Sequence, residues 1–287
     1  MRQKTRNGQL IEIQDTQDKV LALLYGSLIG RCFVKVLTMP WISKLGGAVL
    51  STKLSALAIP SFIRNNQIDM SQYEDKNYSS YNEFFMRKIK PGARDIDMNP
   101  AHLISPCDCK LTVLPVEENG QFIIKQTPYT LKSLLKDENE AKHYLGGTLC
   151  VFRLTVDDYH RYCYIDDADV IEQKKIPGVF HTVNPIANDV YPIYKENTRE
   201  YCVLYSEKLK RYLMMEVGAL MVGKIVNHPI NRAVQRAQEK GHFMFGGSTI
   251  IMVFEKDTIK IDEDILENSM QDIETVVHYG EKIGHIL

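Results

Sequence analysis

A serine preceded by two glycines is the part of this sequence that most directly permits chemistry on the chain itself. Gly246, Gly247, Ser248 and Thr249 stand in the segment F-M-F-G-G-S-T-I-I-M-V-F, directly before an apolar run typical of a β-strand. Glycines reach backbone conformations that other residues adopt only at a cost, so a strained turn with an approachable carbonyl can form here. On these residues alone an ordinary turn into a strand is the simpler interpretation, because Gly-Gly-Ser turns are common.

Two serine chemistries can be compared with the residues around Ser248. A hydrolase elbow requires the pattern G-x-S-x-G, but Ile250 stands where the second glycine would be. The other chemistry is attack of Ser248 Oγ on the carbonyl of Gly247, which replaces the peptide bond with an ester. Loss of the serine α-proton would expel that ester by β-elimination, and the resulting dehydroalanine would hydrolyse to a pyruvoyl group. The products would be chains of residues 1–247 and 248–287, the second beginning with an electrophilic ketone.

Three further residues could move protons. His160 lies in V-D-D-Y-H-R-Y-C, where a histidine between Tyr and Arg is ordinarily a half-buried polar residue with a partner. Asp108 lies in I-S-P-C-D-C-K-L, where an acid after a proline is ordinarily a solvated or capping carboxylate. His181 lies in F-H-T-V-N-P. Their spacing alone assigns none of them a role.

Six collinear segments resemble the phosphatidylserine decarboxylases, a pyruvoyl-dependent family, in its bacterial type. The resemblance runs from about Tyr25 to the C-terminus. Its segments are Y-N-E-F-F-M-R-K-I-K-P-G-A-R-D-I, I-S-P-C-D-C-K-L, V-D-D-Y-H-R-Y, F-H-T-V-N-P-I-A, M-E-V-G-A-L-M-V-G-K-I and F-G-G-S-T-I-I-M-V-F. Six segments in order are far more specific than any one of them. The resemblance therefore favours self-cleavage between Gly247 and Ser248 over a plain turn.

The resemblance also implies roles for the candidate residues. Ser248 matches the pyruvoyl precursor, Asp108 the acidic member of the self-cleavage triad, and His160 an active-site histidine associated with decarboxylation. Most relatives place a second histidine, the base of the triad, three residues further on, where this chain has Cys163. A thiol is a poorer general base than an imidazole. We therefore predict that His160 serves both steps, with His181 and, if its pKa is lowered, Cys163 as alternatives.

The implied activity is conversion of phosphatidylserine to phosphatidylethanolamine and CO2. The pyruvoyl ketone derived from Ser248 would form a Schiff base with the lipid amine and act as an electron sink while CO2 leaves. His160 could protonate the carbanion. No dissociable cofactor is expected. Candidates for holding the lipid phosphate or carboxylate are Arg87, Lys88, Lys90 and Arg161.

Composition is consistent with a globular enzyme. The 287 residues are 44% hydrophobic and 25% charged, enough to bury a sizeable core. Six cysteines are too few and too scattered for a disulfide framework, which predicts a reducing compartment. Cys107 and Cys109 have one residue between them, unlike the ligands of a structural zinc site, so no metal is predicted. The N-terminus lacks the apolar run of a signal peptide, and export is not expected.

The N-terminal segment, residues 1–66, is basic and apolar. It contains nine Lys or Arg and three acidic residues, a formal charge of +6, and no acid occurs between Lys19 and Arg64. Apolar residues recur at helical spacing over residues 20–64, but charges interrupt them before the ~18 residues of a membrane span. We therefore predict an amphipathic segment in the plane of an anionic membrane, with Trp41 at headgroup level. The alternative is a helical cap or a homodimer contact.

The remainder, residues 67–287, is predicted to be a β-rich catalytic domain. Together with the N-terminal helices it gives an α+β fold of several short mixed sheets. A helix is predicted over residues 130–136. Strands are predicted over residues 110–115, 121–125, 148–154, 201–205, 212–217 and 248–254. The protein is expected to be peripheral, on the cytoplasmic side of the cell membrane, as two processed chains, and not to bind nucleic acid.

Two other functions fit parts of the sequence, one of them non-catalytic and one of them enzymatic. A non-catalytic lipid-binding protein would use the same basic helices without cleaving itself. A pyruvoyl decarboxylase of a soluble amino acid would share the chemistry but would not require the amphipathic N-terminus. Denaturing electrophoresis separates the lipid-binding protein from the enzyme, because only the enzyme yields a small fragment of residues 248–287.

Overall fold

Strands supply most of the regular structure. The computed structural model describes residues 2–12, 24–124, 127–182, 191–219, 224–229, 232–244 and 248–287. Its strands are β1 (Arg2–Thr5), β2 (Leu10–Glu12), β3 (His102–Ile104), β4 (Cys109–Pro115), β5 (Gln121–Ile124), β6 (Thr127–Thr130), β7 (Thr148–Leu154), β8 (Arg161–Cys163), β9 (Ala168–Ile176), β10 (Arg199–Ser206), β11 (Lys210–Val217), β12 (Ile225–Asn227), β13 (Ala233–Val234), β14 (Glu239–Phe243), β15 (Ser248–Phe254), β16 (Ile259–Ile261), β17 (Glu274–Val277) and β18 (Lys282–Ile286).

Helices are short and concentrated near the N-terminus. They are α1 (Leu28–Leu37), α2 (Pro40–Leu50), α3 (Ile59–Asn65), α4 (Tyr81–Phe85), α5 (Leu131–Leu135), α6 (Glu138–Lys142), α7 (Ile193–Glu196) and α8 (Glu263–Met270), with 3-10 turns at Lys53–Ala58 and Met70–Gln72. Among the described helices, none is long and apolar enough to cross a membrane.

One large sheet runs through the protein in the strand order β13-β9-β10-β11-β15-β7-β4-β17-β1-β2. Neighbours are antiparallel except β1 and β17, which are parallel. Three small sheets complete the described structure, in the orders β12-β14-β8, β16-β18-β3 and β5-β6. The strand that begins at Ser248 is therefore central, with β11 on one side and β7 on the other.

The central strand β15 is buried on both faces, as its unbroken apolar run predicts. Successive side chains point to opposite faces of a sheet, and Ile250 and Met252 accordingly join one core cluster while Ile251 and Val253 join another. Helices α5, α6 and α7 pack on the second face. A strand held in this way gives Ser248 a rigid support.

The first residues of the chain belong to the large sheet. Strand β1 pairs with β17 near the C-terminus, and Arg6 forms ion pairs with Asp262 at 2.8 Å and Asp264 at 2.6 Å. The sequence analysis did not predict these strands, because their residues are polar and their pairing partner is distant in the chain. Removing the N-terminus would therefore disturb the sheet as well as the helices that follow.

The predicted α+β class is confirmed, with 37% strand and 24% helix. Strands β4, β5, β7, β10, β11 and β15 lie where short apolar runs predicted them. Helix α5 begins after Thr130, whose hydroxyl accepts the N–H of Ser133 in a capping box, close to the predicted bounds. The shorter strands β8, β12 and β14 were missed, because three to five half-polar residues carry little periodic signal.

Candidate active site at the end of the central strands

Ser248 is the first residue of β15, in the middle of the large sheet. It pairs with Leu154 at the end of β7, and Thr249 pairs with Val217 at the end of β11. The serine is fully buried, and its Oγ has no hydrogen-bond partner among the described residues. A buried hydroxyl without a partner costs about 1–3 kcal/mol, so its presence calls for a chemical explanation.

His160 lies six residues beyond Leu154, in the loop between β7 and β8. Its side chain is buried, and the ring lies 4.0 Å from that of Phe85 between centroids. Nδ1 lies 2.9 Å from the carbonyl oxygen of Asp158, and a carbonyl only accepts, so Nδ1 carries the proton of the neutral ring. Nε2 then has a free lone pair; it is buried and has no partner in the described part of the chain. This is the arrangement of a base.

Burial lowers the pKa of His160 to about 3, and the positive charges of Arg87 and Lys110 act in the same direction. The imidazole is therefore neutral at pH 7 and available to accept a proton. A proton taken by Nε2 would be held only briefly, because the buried cation is disfavoured. Such a group suits a step in which the proton is soon passed on.

The low pKa of His160 predicts a loss of stability in acid. The unfolded chain takes up this proton near pH 6.5 and the folded chain only near pH 3, so between these values the unfolded state holds more protons. We therefore expect the free energy of unfolding to fall more steeply with decreasing pH in the natural chain than in His160→Asn, which keeps a donor at the Nδ1 position. The two slopes should differ by about 1.4 kcal/mol per pH unit below pH 6. Urea titrations between pH 4.5 and 6 measure the two slopes. Equal slopes would mean that this imidazole is not buried as described.

Two cations hold the loop that carries His160. Lys110 Nζ donates to Thr155 Oγ1 at 2.6 Å and to both carboxylate oxygens of Asp158 at 2.7 Å. Arg87 Nη2 donates to the carbonyl oxygens of Asp157 and Asp158 at 3.2 and 3.4 Å. Arg87 is 2% exposed, so its contacts are those of a residue that positions the loop.

The other predicted lipid-binding cations have different surroundings. Arg161 donates to the carbonyl oxygen of Met86 at 2.8 Å and to Glu239 at 2.6 Å. Lys90 pairs with an exposed aspartate at 3.2 Å, and Lys88 is exposed. Contact of any of the four with a lipid headgroup stays a prediction.

Asp108 is buried directly before β4 and is held by three groups. Arg94 Nη2 donates to its Oδ2 at 2.6 Å, the N–H of Tyr279 donates to its Oδ1 at 2.7 Å, and His278 Nδ1 lies 3.7 Å from Oδ1. Burial acts to raise the pKa of Asp108, but His278, Arg94 and the Tyr279 N–H outweigh it and keep the pKa well below its usual range. The carboxylate is therefore ionised, and in turn it raises the pKa of His278.

The histidine beside Asp108 is thus His278, which the sequence analysis did not consider. Asp108 lies two strands away from Ser248, because β7 separates β4 from β15. Two interstrand spacings of about 4.8 Å put the two backbones about 10 Å apart. No contact between Asp108 and His160 is present among the described residues. The predicted triad role of Asp108 stays a prediction.

Cys163, at the usual position of the triad histidine, is fully buried at the end of β8. Burial raises the pKa of its thiol to about 12, and this effect outweighs the opposite effect of Tyr279. The thiol is therefore protonated at neutral pH. The lowered pKa that would let Cys163 act as a base is not present.

His181 approaches the other side of the central strand. Its backbone N–H donates to Asn197 Oδ1 at 2.8 Å, and Asn197 Nδ2 donates to the carbonyl oxygen of Gly218, which follows the partner of Thr249. Burial lowers the pKa of His181 to about 4, and its ring stacks on Tyr191 at 4.6 Å. His181 is therefore also neutral at pH 7 and stays an alternative base.

Known proteins share the region of the chain that carries these residues. A family model described as phosphatidylserine decarboxylase matches residues 81–285, which include every candidate site residue named above. The chain belongs to the phosphatidylserine decarboxylase family. The resemblance stated from six short segments is confirmed, and with it the prediction of a decarboxylating enzyme.

Curated relatives match almost the whole chain. A protein of Clostridium acetobutylicum named phosphatidylserine decarboxylase proenzyme 2 is 46% identical over 265 residues, which cover 92% of this chain and 91% of the relative. A phosphatidylserine decarboxylase proenzyme of Fusobacterium nucleatum is 39% identical over 286 residues, covering 98% and 95%. One of Clostridium perfringens is 40% identical over 268 residues, covering 91% of each chain.

The site residues predicted from the sequence agree only in part with the site that the structure shows in this member of the decarboxylase family. The structure places Ser248 and His160 at the same end of β15 and β7, as a shared site requires. The cleavage partner Gly247 lies outside the described residues, so cleavage there stays a prediction. Arg94, His278 and Tyr279 were missed as partners of Asp108. Arg94 lies in one of the six segments that resemble the family, but no local sequence pattern marks His278 and Tyr279.

Proposed function

We propose that this chain converts phosphatidylserine to phosphatidylethanolamine and CO2 with a pyruvoyl group that it makes from Ser248. The observation that carries the proposal is the buried, unpartnered Ser248 Oγ at the head of a central strand. The free lone pair on His160 Nε2, at the same end of the sheet, supports it. The relatives' designation as proenzymes is consistent with a chain that is processed.

Self-cleavage begins at Ser248, with His160 as the base. Removing the hydroxyl proton lets Oγ attack the carbonyl carbon of Gly247, and the peptide bond becomes an ester. Removing the α-proton of Ser248 then breaks the Cβ–Oγ bond and releases residues 1–247 with a carboxylate end. Water hydrolyses the remaining dehydroalanine to a ketone and ammonia. Burial of both groups limits competition from bulk water during the first two steps.

The processed chains stay together through the large sheet. Residues 248–287 contribute β15, held between β7 and β11, and β17, held between β4 and β1. Asp108 adds a contact between the two chains, because its carboxylate accepts the N–H of Tyr279. Cutting one bond before β15 therefore leaves the sheet intact.

In the decarboxylation step, the pyruvoyl group supplies a ketone that withdraws electrons from the bound lipid amine. His160 takes a proton from the ammonium group of the bound lipid and delivers it to the carbon that CO2 leaves, because its buried imidazolium readily gives up a proton. Arg87 and Lys110 hold the loop that positions this ring. Asp108 fixes the C-terminal segment against β4 and acts as a positioning residue.

Mass spectrometry of the purified protein, combined with a CO2-release assay, tests this function. We expect a fragment of residues 248–287 blocked by a pyruvoyl group, a second chain ending at residue 247, and CO2 release from phosphatidylserine vesicles but not from free serine. An intact chain that releases CO2 from the lipid would refute the pyruvoyl proposal. Processing without lipid turnover, but with turnover of a soluble amino acid, would refute the substrate.

The proposed membrane contact rests on an exposed apolar surface of the N-terminal helices. Among the described side chains from α1 through the 3-10 turn Lys53–Ala58, six large apolar ones are more than half exposed, and no acidic residue lies between Lys19 and Arg64. They are Phe33, Trp41, Leu45, Val49, Leu54 and Leu57. Apolar side chains beside basic ones are suited to an anionic bilayer surface. We therefore propose that the protein is peripheral, on the cytoplasmic side of the cell membrane.

Substitution of Leu54 and Leu57 tests the membrane contact. They are 78% and 80% exposed, and their turn has no buried residue, so Leu54→Ser with Leu57→Ser should leave the fold unchanged. Burying one leucine is worth about 1.5–3 kcal/mol, so we expect binding to phosphatidylserine-containing vesicles to weaken by about tenfold or more. Sedimentation with vesicles measures the change.

Met270→Ser is the matched control, because Met270 is 84% exposed at the end of α8, outside the proposed membrane surface. It should sediment like the natural chain. Unchanged sedimentation of the double variant would refute the membrane surface, and a changed oligomeric state would assign the surface to a dimer contact. Deleting residues 1–64 is a less clean test, because it also removes β1 from the sheet.

A further inference from the structure

A second cluster of ligand-type side chains lies outside the proposed catalytic residues. His228, Glu239 and His242 each offer one ligand atom, and these three atoms lie within 4.8 Å of one another. His228 Nε2 is 2.7 Å from Glu239 Oε1. The residues belong to the small sheet of β12, β14 and β8 and are partly accessible from solvent.

An irregularity in β14 brings the cluster together. Residues three apart in a regular strand point to opposite faces, so Glu239 and His242 would normally diverge. The pairing of β14 with β8 shifts between Glu239 and Gly241, which makes Lys240 the extra residue of a bulge. Lys240 points into the core, where Nζ lies 2.7 Å from Glu216. The bulge thereby allows Glu239 and His242 to share the outer face.

The strand β12 supplies the third member. His228 follows β12, and its backbone N–H donates to the carbonyl oxygen of Lys240 at 2.8 Å. This backbone bond fixes His228 beside the bulge, so its imidazole reaches Glu239. Three residues from two strands are therefore held by the sheet, which reduces the ordering cost of binding a ligand.

His242 has a ring nitrogen without a partner. Nδ1 is buried, and within the described residues nothing hydrogen-bonds to it. An imidazole binds a metal through a ring nitrogen that carries no proton, and the His242 ring, which has an unpartnered nitrogen, lies beside another imidazole and a carboxylate.

We propose that His228, Glu239 and His242 bind one divalent transition-metal ion of the Zn²⁺ class. Two imidazoles and one carboxylate are a donor set suited to Zn²⁺, with water completing the coordination. On binding, His228 exchanges its hydrogen bond to Glu239 for a bond to the metal, and its ring proton moves to Nδ1. Glu239 offers Oε2, because Arg161 Nη1 holds Oε1 at 2.6 Å.

Arg161 has two opposing effects on this site. Its hydrogen bond orients the carboxylate of Glu239, as outer partners of metal ligands commonly do. Its positive charge opposes a second cation nearby and makes the binding weaker than in a closed structural zinc site. The proposed site is accordingly one that exchanges its metal with solvent.

The position of the site indicates what the metal does. Strand β8 directly follows His160, and β14 leads towards Ser248 through residues 244–247. A metal that joins β12 to β14 would stiffen the small sheet from which both residues extend. All three ligands lie before residue 248, so the site belongs to the larger chain and is present before and after cleavage. The metal is a stabilising ion and not a participant in decarboxylation.

Titration of the chelator-treated protein with Zn²⁺ and Co²⁺ tests the proposal. We expect one Zn²⁺ per chain by calorimetry, a rise of the melting temperature with Zn²⁺, and Co²⁺ absorption bands without the charge-transfer band of a thiolate. Loss of an outer partner weakens metal sites by about 10–100-fold, so His228→Ala and His242→Ala, which remove ligands, should each weaken binding by about 100-fold or more. His143→Ala, at an exposed histidine outside the cluster, should bind like the natural chain.

Three results would overturn the proposal. One is no saturable Zn²⁺ binding, which would leave the cluster as an ion-pair network only. Another is equal affinity of the two histidine variants and the natural chain. The third is a thiolate band with Co²⁺, which would locate the metal at cysteines. The side chain of His228 is 45% exposed, so His228→Ala should fold. It remains an independent test if His242→Ala does not fold.

Discussion

Ser248→Ala is expected to remain a single chain of 287 residues without decarboxylase activity. The substitution removes the hydroxyl oxygen proposed to attack the carbonyl of Gly247, and without that attack no ketone forms. Because the Oγ is buried without a partner in the described structure, its removal should leave the urea midpoint unchanged or slightly raised. Denaturing electrophoresis, CO2 release and urea titration measure the three properties.

Thr249→Val is the matched control for Ser248→Ala. Thr249 is the next residue of β15 and is equally buried, and valine keeps its shape while removing its hydroxyl. This variant should be cut at the normal site. If Ser248→Ala is cleaved like the natural chain, Ser248 is not the nucleophile and the pyruvoyl proposal fails; if Thr249→Val alone stays intact, the nucleophile is one residue further on.

His160→Ala is expected to slow self-cleavage by about 10²–10⁴-fold, the usual contribution of a positioned acid or base. Cys163→Ala should be processed at nearly the natural rate, because the pKa of the thiol is about 12 and it cannot take a proton at neutral pH. The fraction of cut chain, followed over time after cell-free synthesis, measures both rates. His160→Asn, with a donor in place of Nδ1, controls for loss of the loop structure.

The outcomes of this series assign the base. Slow cleavage in both His160 variants identifies Nε2 as the acting atom, because asparagine restores only the contact to Asp158. Normal cleavage in His160→Ala combined with failure in His181→Ala would move the base to His181. Failure in Cys163→Ala with normal cleavage in His160→Ala would contradict the assignment made here and restore the base to the usual triad position.

Much of the fold could be predicted because its main strands are unbroken apolar runs. Strands β4, β7, β11 and β15 are buried on both faces, and such strands are recognisable from composition alone. Strand β1 could not be found in this way, since R-Q-K-T has no apolar periodicity and is stabilised by pairing with β17 some 270 residues away. Local residue patterns do not contain information about such pairings.

By itself, the sequence determined the family and the residue types available for chemistry. Six short segments indicated phosphatidylserine decarboxylases, and Gly-Gly-Ser before an apolar run indicated where the chain could cut itself. These conclusions depend on covalent order, which a sequence states completely. The family assignment does not depend on how the strands pair, and the cleavage position stays a prediction.

Only the tertiary structure decided which groups meet and in which protonation state. Asp108 meets Tyr279, 171 positions away, and not His160. His160 is buried with Nδ1 committed to a carbonyl, which leaves Nε2 unprotonated. A bulge at Lys240 turns Glu239 and His242 to the same face. The physical reason is common to all three: contacts and pKa values depend on burial and on neighbours brought together by folding, and neither is a property of a residue's place in the chain.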